Sequence, residues 1–277
     1  MVKKPDDRKK LVSVIIPAYK QEKTIVKDIR NIFNVMSQTR WDFEIIVVVD
    51  GFVDKTFEMA KRIVKPNVKV IGYETNRGKG YAIRYGMARA TGDYIAFIDS
   101  GMDIDPNGIS MILEHMDWYE ADIIVASKRH LASKINYPLY RKIYSWGYHF
   151  FVKILFGFKV SDTQSGLKVF KRKVLEKVLP RLIVKNFAFD VEILAVARYL
   201  GYTRIYDAPI RLMWRETNTN FTPYIIFDKN VRGIIQDTLG VYYRLRILNY
   251  YSDKKKRKWI YDKELAMKIN TGGFSRA

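Results

Sequence analysis

Residues 43–51 read FEIIVVVDG: a near-continuous apolar run, Phe43–Val49, closed by an acid and a glycine. A half-buried strand alternates apolar and polar side chains. A run apolar on both faces belongs to a strand covered by helices above and below, the situation of a parallel sheet. Upstream, Leu11–Pro17 is a short β-branched run. Glu22–Ser37 has helical spacing, with Ile25, Ile29, Ile32, Phe33 and Met36 on one side. Downstream, Thr56–Val64 reads as helix, Val68–Tyr73 as strand, Tyr81–Ala90 as helix and Tyr94–Ile98 as strand. Strict alternation of the two element types predicts an α/β fold with a mostly parallel sheet flanked by helices.

The second half is less regular. Ile109–Trp118 is helical, Asp122–Ala126 is another buried strand, and Leu139–Phe156 is an aromatic-rich helix. Val191–Leu200 is an amphipathic helix stopped at Gly201. Arg204–Ile210 is strand-like, and Thr222–Tyr251 is expected to be helical after Pro223. There is no internal repeat and no break in composition.

The 277 residues hold 49 Lys and Arg against 29 Asp and Glu, a net +20, with 48% hydrophobic residues and no cysteine. That excludes bulk disorder, a disulfide scaffold, a thiolate metal site and a cysteine nucleophile. Such a positive charge calls for polyanionic partners: nucleic acid, phosphorylated substrates or an anionic membrane. No recognition motif supports nucleic acid, and acid-rich strand ends argue against it. The first residues do not read as a secretory signal, and no stretch of about 18 residues lacks charge, so no spanning helix is expected.

In an open parallel sheet, ligands bind beyond the carboxyl ends of the strands. Four such ends carry chemistry: Pro17-Ala18-Tyr19 with Glu22; Asp50-Gly51 with Asp54 and Thr56; Asn76-Arg77-Gly78-Lys79-Gly80; and Asp99-Ser100-Gly101-Met102-Asp103-Ile104-Asp105. Singly, Asp50-Gly51 is also a good turn and Asp105 a good helix cap before Pro106. Asp99 has no such reading, because it follows an apolar strand directly. Clustered carboxylates repel unless a cation joins them, and oxygen ligands suit Mg²⁺ or Mn²⁺.

The segments VSVIIPAY, EIIVVVDGFVDKT, NRGKGYAIRYGMARATGDYIAFID, DTQSGLKVF and FAFDVEIL together resemble the family-two inverting glycosyltransferases of the GT-A fold. Within them the likeness is greatest to polyprenyl- and dolichyl-phosphate mannosyl- and glucosyltransferases, over about Leu11 to Trp214. The DTQSGLK segment leans toward the glucosyl-like branch. The resemblance implies a GT-A domain over residues 11–221, after a basic N-terminal extension (1–10). A basic aromatic helical region (222–277) follows, packing on the domain or lying at a membrane interface. It also implies transfer from a nucleotide-diphosphate sugar, of the UDP-glucose or GDP-mannose class, to a polyprenyl phosphate. A non-lipid acceptor, saccharide or small phosphate, is the alternative.

By the same resemblance Pro17, Ala18, Tyr19, Glu22 and Asp50 line the nucleoside pocket. Lys79, Ser100, Gln164, Lys168 and Arg215 sit near the donor, and Asp99, Asp103 and Asp190 form the catalytic set. The family's Asp-x-Asp motif opens at Asp99, but Gly101 stands at its second position. Two readings follow: Asp99 and Asp103 ligate the metal, or the site is weakened or metal-independent. Lys128, Arg141 and Ser145 match an acceptor-phosphate set, Arg141 and Ser145 lying one helical turn apart. A phosphate nucleophile is largely ionised near neutral pH and needs no strong base. That agrees with His115, His130 and His149 lying outside the strand ends. The aromatic, basic segments 139–156 and 234–251, with the Lys254–Lys258 cluster, are expected at an anionic bilayer surface. The implied location is cytoplasmic, peripheral at the inner face of the membrane. The oligomeric state is left open.

Overall fold

The structure, a computed structural model, describes residues 9–101, 103–136, 139–213, 229–253 and 259–270. A seven-stranded sheet forms the centre. Its strands are β1 (Leu11–Ala18), β2 (Asp42–Asp50), β3 (Val68–Tyr73), β4 (Tyr94–Ile98), β5 (Ile123–Ser127), β7 (Leu167–Lys171) and β8 (Ile205–Pro209), in spatial order β3-β2-β1-β4-β7-β5-β8. All neighbours pair in parallel except β7, which runs antiparallel between β4 and β5. The α/β reading and the mostly parallel sheet are borne out. Within the central sheet the strand missed from the sequence is β7, and its reversal matters: its first residue, Leu167, pairs with Ile98, the last of β4. The segment 162–166 therefore arrives at the carboxyl end of the sheet.

Helices α1 (Ile25–Ser37), α2 (Thr56–Lys61), α3 (Lys79–Met87), α4 (Gly108–Trp118), α5 (Leu139–Phe156), α6 (Arg172–Val178), α7 (Phe189–Tyr199) and α8 (Lys229–Arg246) complete the frame. They bury two cores, one on each face of the sheet. Ile15, Ile46, Val48 and Phe97 lie under α3, α6 and α7; Val14, Ile16, Ile45 and Val47 lie under α1 and α4. Alternate residues of β1 and β2 thus feed opposite cores, which is why 43–49 shows no polar alternation.

Two small sheets flank this body. One pairs β6 (Lys134–Asn136) with β9 (Arg211–Met213), and the other is an antiparallel hairpin of β10 (Trp259–Asp262) and β11 (Met267–Asn270). The helix expected over 222–251 is α8 within the described residues, and it ends at Arg246. Asn249, at φ +48, turns the chain, and Leu248 and Tyr250 donate back to Tyr243 and Arg244. Tyr251 then enters the core with no exposed surface, so the interfacial position expected for it is corrected.

Candidate active site

The strand order reverses between β1 and β4: the chain moves outward to β2 and β3, then returns to the other side of β1. That switch point opens a crevice at the carboxyl ends. Into it come Asp99 just after β4, the segment 76–80 that leads into α3, residues 162–168 at the start of β7, and the first turn of α7.

Asp99 is placed by its backbone. Its N–H donates to the Gly166 carbonyl at 2.8 Å. Gly166 makes room for the side chain, since a Cβ there would lie 2.1 Å from Asp99 Oδ2. Oδ2 accepts from Lys79 Nζ at 2.7 Å, while Oδ1 is buried and accepts no hydrogen bond among the described residues. Lys79 also stands 3.8 Å from Asp190 Oδ2. The other oxygen of Asp190 is bonded by Lys168, whose ammonium also donates to the Ser165 carbonyl at 2.6 Å. Asp99, Lys79, Asp190 and Lys168 thus form one chain of alternating charge, neutral in sum. Asp190 and Lys168 are buried, as charges are when paired. Burial pulls Lys79 down, but the carboxylates of Asp99 and Asp190 outweigh it and hold it above the ordinary lysine value. Burial dominates at Lys168 and lowers it despite Asp190.

Glycines bring these groups together. Gly78 has φ +99, and a Cβ there would meet Asn186 Oδ1 at 2.3 Å and the Lys185 carbonyl at 2.6 Å. At Gly80 a Cβ would meet Phe189 Cβ at 2.4 Å. The start of α3 therefore packs backbone to backbone on residues 185–189, and the Tyr81 N–H donates to the Lys185 carbonyl at 3.0 Å. This contact sets Lys79 beside Asp190. It explains why N-x-G-K-G and FAFD belong to one site although Lys79 and Asp190 are 111 positions apart.

Asp50 closes the second strand end. Its carboxylate accepts from Tyr73 Oη (2.9 Å), Asn76 Nδ2 (2.9 Å), the Arg77 N–H (2.7 Å) and the Gly78 N–H (3.0 Å). A carboxylate has about four lone-pair positions, and all are used, so here Asp50 ties down the 76–80 loop. Glu22 accepts from the Lys55 N–H at 3.1 Å, joining the first two strand ends. Pro17 and Ala18 end β1, with Ala18 buried, and Tyr19 is exposed beyond them. Ser100 and Gln164 border the crevice, half-buried, with the Gln164 N–H held by Asp162 at 3.2 Å. Arg215 lies outside the described residues.

Gly101 adopts φ +104, and its N–H donates to buried Asp28 at 2.9 Å. An aspartate at that position would occupy a backbone region that L-residues avoid. Asp103 follows, half-buried, just before the bridge between Ile104 and Leu212. Asp105 caps: Oδ1 takes the Asn107 N–H at 3.0 Å, and its carbonyl takes the Gly108 N–H. No group of three or more Asp, Glu or His side chains gathers at ligating distance among the described residues. The buried oxygen of Asp99 with no hydrogen bond, an all-oxygen donor set and a lysine nearby fit a hard divalent ion that shares its shell with a diphosphate.

Beyond β5 lies a second polar cluster. Asp162, buried, accepts the Lys128 N–H at 3.1 Å and has Lys128 Nζ at 3.6 Å and Arg129 Nη1 at 3.5 Å. Arg129 Nη2 donates to Ser145 Oγ at 2.7 Å. Of the acceptor set named from sequence, Lys128 and Ser145 come together here. The side chain of Arg141 lies outside the described residues. Arg129 is the residue sequence reading missed; adjacent cations look alike until the turn after β5 sorts them. His149 faces the cluster, and burial, then Arg129, holds its imidazole below the ordinary value. A cavity of about 610 Å³ lined by Met87, Leu175, Arg181 and Trp259 lies at the opposite end of the sheet and includes none of these groups.

The model of the family described as "Glycosyl transferase family 2" matches residues 13–179. Dolichyl-phosphate beta-glucosyltransferase of Drosophila melanogaster is 30% identical over 230 residues, covering 77% of this chain and 70% of that protein. The enzymes of the same name from Dictyostelium discoideum and Homo sapiens are each 29% identical, covering 74% and 76% of this chain and 66% and 69% of those proteins. The chain thus spans about two thirds of the length of these curated relatives. Among solved structures, glucosyl-3-phosphoglycerate synthase from Mycobacterium tuberculosis in complex with UDP superposes with a TM-score of 0.63 at 18% identity, covering 84% of this chain and 80% of that one. The same enzyme in complex with Mn²⁺, UDP and phosphoglyceric acid gives 0.64 at 18%, covering 91% and 83%. These likenesses show the fold.

Proposed function

The chain belongs to glycosyl transferase family 2, and on that premise we propose that it moves glucose from a nucleoside-diphosphate glucose, UDP-glucose first, to a polyprenyl phosphate of the dolichyl type, with inversion. The observation that carries this reading is the meeting of Asp99, Lys79, Asp190 and Lys168 at the β1/β4 switch point. The shared name of the curated relatives supports the sugar and the acceptor.

In this reading Lys79, kept charged by its carboxylate neighbours, binds the donor diphosphate at the head of α3. Asp99 and Asp103 would hold Mg²⁺ or Mn²⁺, which when bound neutralises charge growing on the leaving group. Asp190 positions Lys79 and Lys168. Its two oxygens are engaged by two ammonium groups, and the reaction does not require a general base. A phosphate oxygen of the acceptor attacks the anomeric carbon. The bond to the diphosphate breaks, its electron pair leaves with the nucleotide, and configuration inverts. Arg129, Lys128 and Ser145 hold the acceptor phosphate in line.

The acceptor site borders an apolar surface. On α5, Trp146, Phe150 and Ile154 are exposed at helical spacing, opposite buried Val152 and Phe156. On α8, Ile235, Leu239 and Tyr243, with Ile247 just past its end, repeat the pattern opposite Val241 and Leu245. The two helices pack through Tyr148 Oη and Thr238 Oγ1 at 2.7 Å and through Phe156 on Tyr242. No helix among the described residues is long and apolar enough to cross a membrane. Outward apolar stripes on a strongly basic chain fit an anionic bilayer surface, peripheral on the cytoplasmic leaflet. Ser145 adjoins Trp146, so a lipid phosphate would reach Arg129 while its chain stays along the stripe.

The test is product mass. The protein is incubated with a short polyprenyl phosphate, Mn²⁺ or Mg²⁺ and a panel of UDP- and GDP-sugars. A hexosyl-phosphoprenol from UDP-glucose is expected. Nucleotide binding with no lipid product, but glycosylation of a small phosphate or a saccharide, would overturn the lipid acceptor.

A further inference from the structure

The family match ends at residue 179, yet two lines of contact run from the C-terminal segment back to the loop carrying Lys79. The first is direct. Glu264, in the turn of the β10–β11 hairpin, accepts from the Arg77 guanidinium and from Tyr81 Oη at 3.0 Å. Its carbonyl takes Arg89 Nη2 at 2.6 Å. Arg77 and Tyr81 flank Lys79, and the Arg77 N–H is itself bound to Asp50.

The second line passes through a buried acid that the reaction does not use. Glu192, on α7, has no exposed surface. It accepts the N–H of Ile183 at 3.0 Å, the N–H of Val184 at 2.9 Å and Tyr251 Oη at 2.6 Å. Arg244 Nε donates to Tyr251 Oη at 3.1 Å. Residues 183–184 run directly into Lys185 and Asn186, the backbone on which Gly78 and Gly80 pack. A buried carboxylate satisfied by two backbone N–H groups fixes the path of that backbone more tightly than an apolar side chain could. Both lines converge on residues 77–81, one from the solvent side and one through the core.

We propose that α8, Tyr251 and the β10–β11 hairpin act as a clamp that holds the 76–80 loop in its nucleotide-binding shape, with Glu264, Glu192 and Tyr251 as positioning residues. The inference rests on reading 76–80 as the donor loop.

The experiment measures UDP affinity by calorimetry on the full chain with Mn²⁺, which needs no turnover. Glu264→Arg and Arg77→Glu are each expected to weaken UDP about 5- to 10-fold, and the double exchange to restore it to within about 3-fold. Tyr251→Phe keeps the ring but removes the hydroxyl donor from buried Glu192, so it should weaken UDP about 3-fold and lower the melting temperature by a few degrees. The KM for the polyprenyl phosphate should stay within about 2-fold in all three single variants. A double exchange no better than the single variants would overturn the clamp, since Arg77 would then contact the nucleotide itself. UDP affinity unchanged in every variant would overturn it as well. Absence of UDP binding by the unaltered protein would overturn the donor-loop reading and the clamp with it; normal binding that the variants leave unaffected sinks the clamp alone.

Discussion

Gly166→Ala tests the placement of Asp99 with one methyl group. A Cβ at 166 would lie 2.1 Å from Asp99 Oδ2, 2.5 Å from Cγ and 3.0 Å from Cβ, where ordinary contact begins near 3.4 Å. The carboxylate must therefore retreat by about 1.3 Å. Its backbone cannot follow easily, being pinned by the 2.8 Å bond to the Gly166 carbonyl, so the side chain must rotate. A retreat of that size breaks the 2.7 Å bond to Lys79 and moves the proposed metal ligand. Overpacking of this kind costs about 1–3 kcal/mol, and a misplacement of about 1 Å in a catalytic group costs about 100-fold in rate. Initial rates of glycosyl-lipid formation, with melting temperature alongside, give both numbers. In an Asp99→Ala background the same glycine change should cost less than about 1 kcal/mol, because most of the clash is gone. Gly166→Ala with wild-type rate and melting temperature would show that the glycine does not place Asp99. So would an equal stability loss in both backgrounds.

Other expectations follow from the same geometry. Gly101→Asp, which restores the family's second carboxylate, forces an L-residue to φ +104; it should cost about 1–2 kcal/mol in thermal unfolding and fail to tighten Mn²⁺ in a titration. Arg129→Ala should raise the KM for the lipid phosphate about 10- to 100-fold while leaving the KM for UDP-glucose within about 2-fold, as steady-state kinetics would show. Asp117 is buried in part and is held at about 2 by hydrogen bonds from Lys10, Arg40 and Tyr94, which outweigh the burial that would raise it. A carboxyl depressed on folding stabilises above its unfolded value, near 3.8, and loses that contribution as pH falls through about 2. Asp117→Asn should therefore lower stability by about 1 kcal/mol at pH 7, after discounting for solvent screening, and the gap should close below pH 4 in chemical denaturation.

Much of the frame is readable in the chain because both-face burial leaves a strong mark. Ile45–Val49 and Tyr94–Ile98 could be little else than central strands. The bounds read for α5 are those observed, since its apolar repeat starts and stops abruptly. The strand β7 was missed because LKVF is short and runs straight into the helix-forming KVLEKV. Its reversal depends on pairing with β4 and β5, which no local period records. For the same reason the sequence shows DTQSGLK as a segment of interest but not its role: Gly166 yields space to Asp99, and Lys168 holds Asp190. Tyr251 read as interfacial because it follows an aromatic, basic helix. Its burial follows from the turn at Asn249 and from Glu192, a partner 59 residues away. Asp50 likewise looks like a ligand group in sequence, and only the folded loop reveals four internal donors.

The most direct measurement is the anomeric configuration of the product. The protein is incubated with UDP-[1-¹³C]glucose, a short polyprenyl phosphate and Mn²⁺, and the lipid extract is read by NMR. A single β-linked glucosyl phosphoprenol is expected, absent with Asp99→Ala. An α-linked product, or glucose released to water while UDP binds normally, would contradict it.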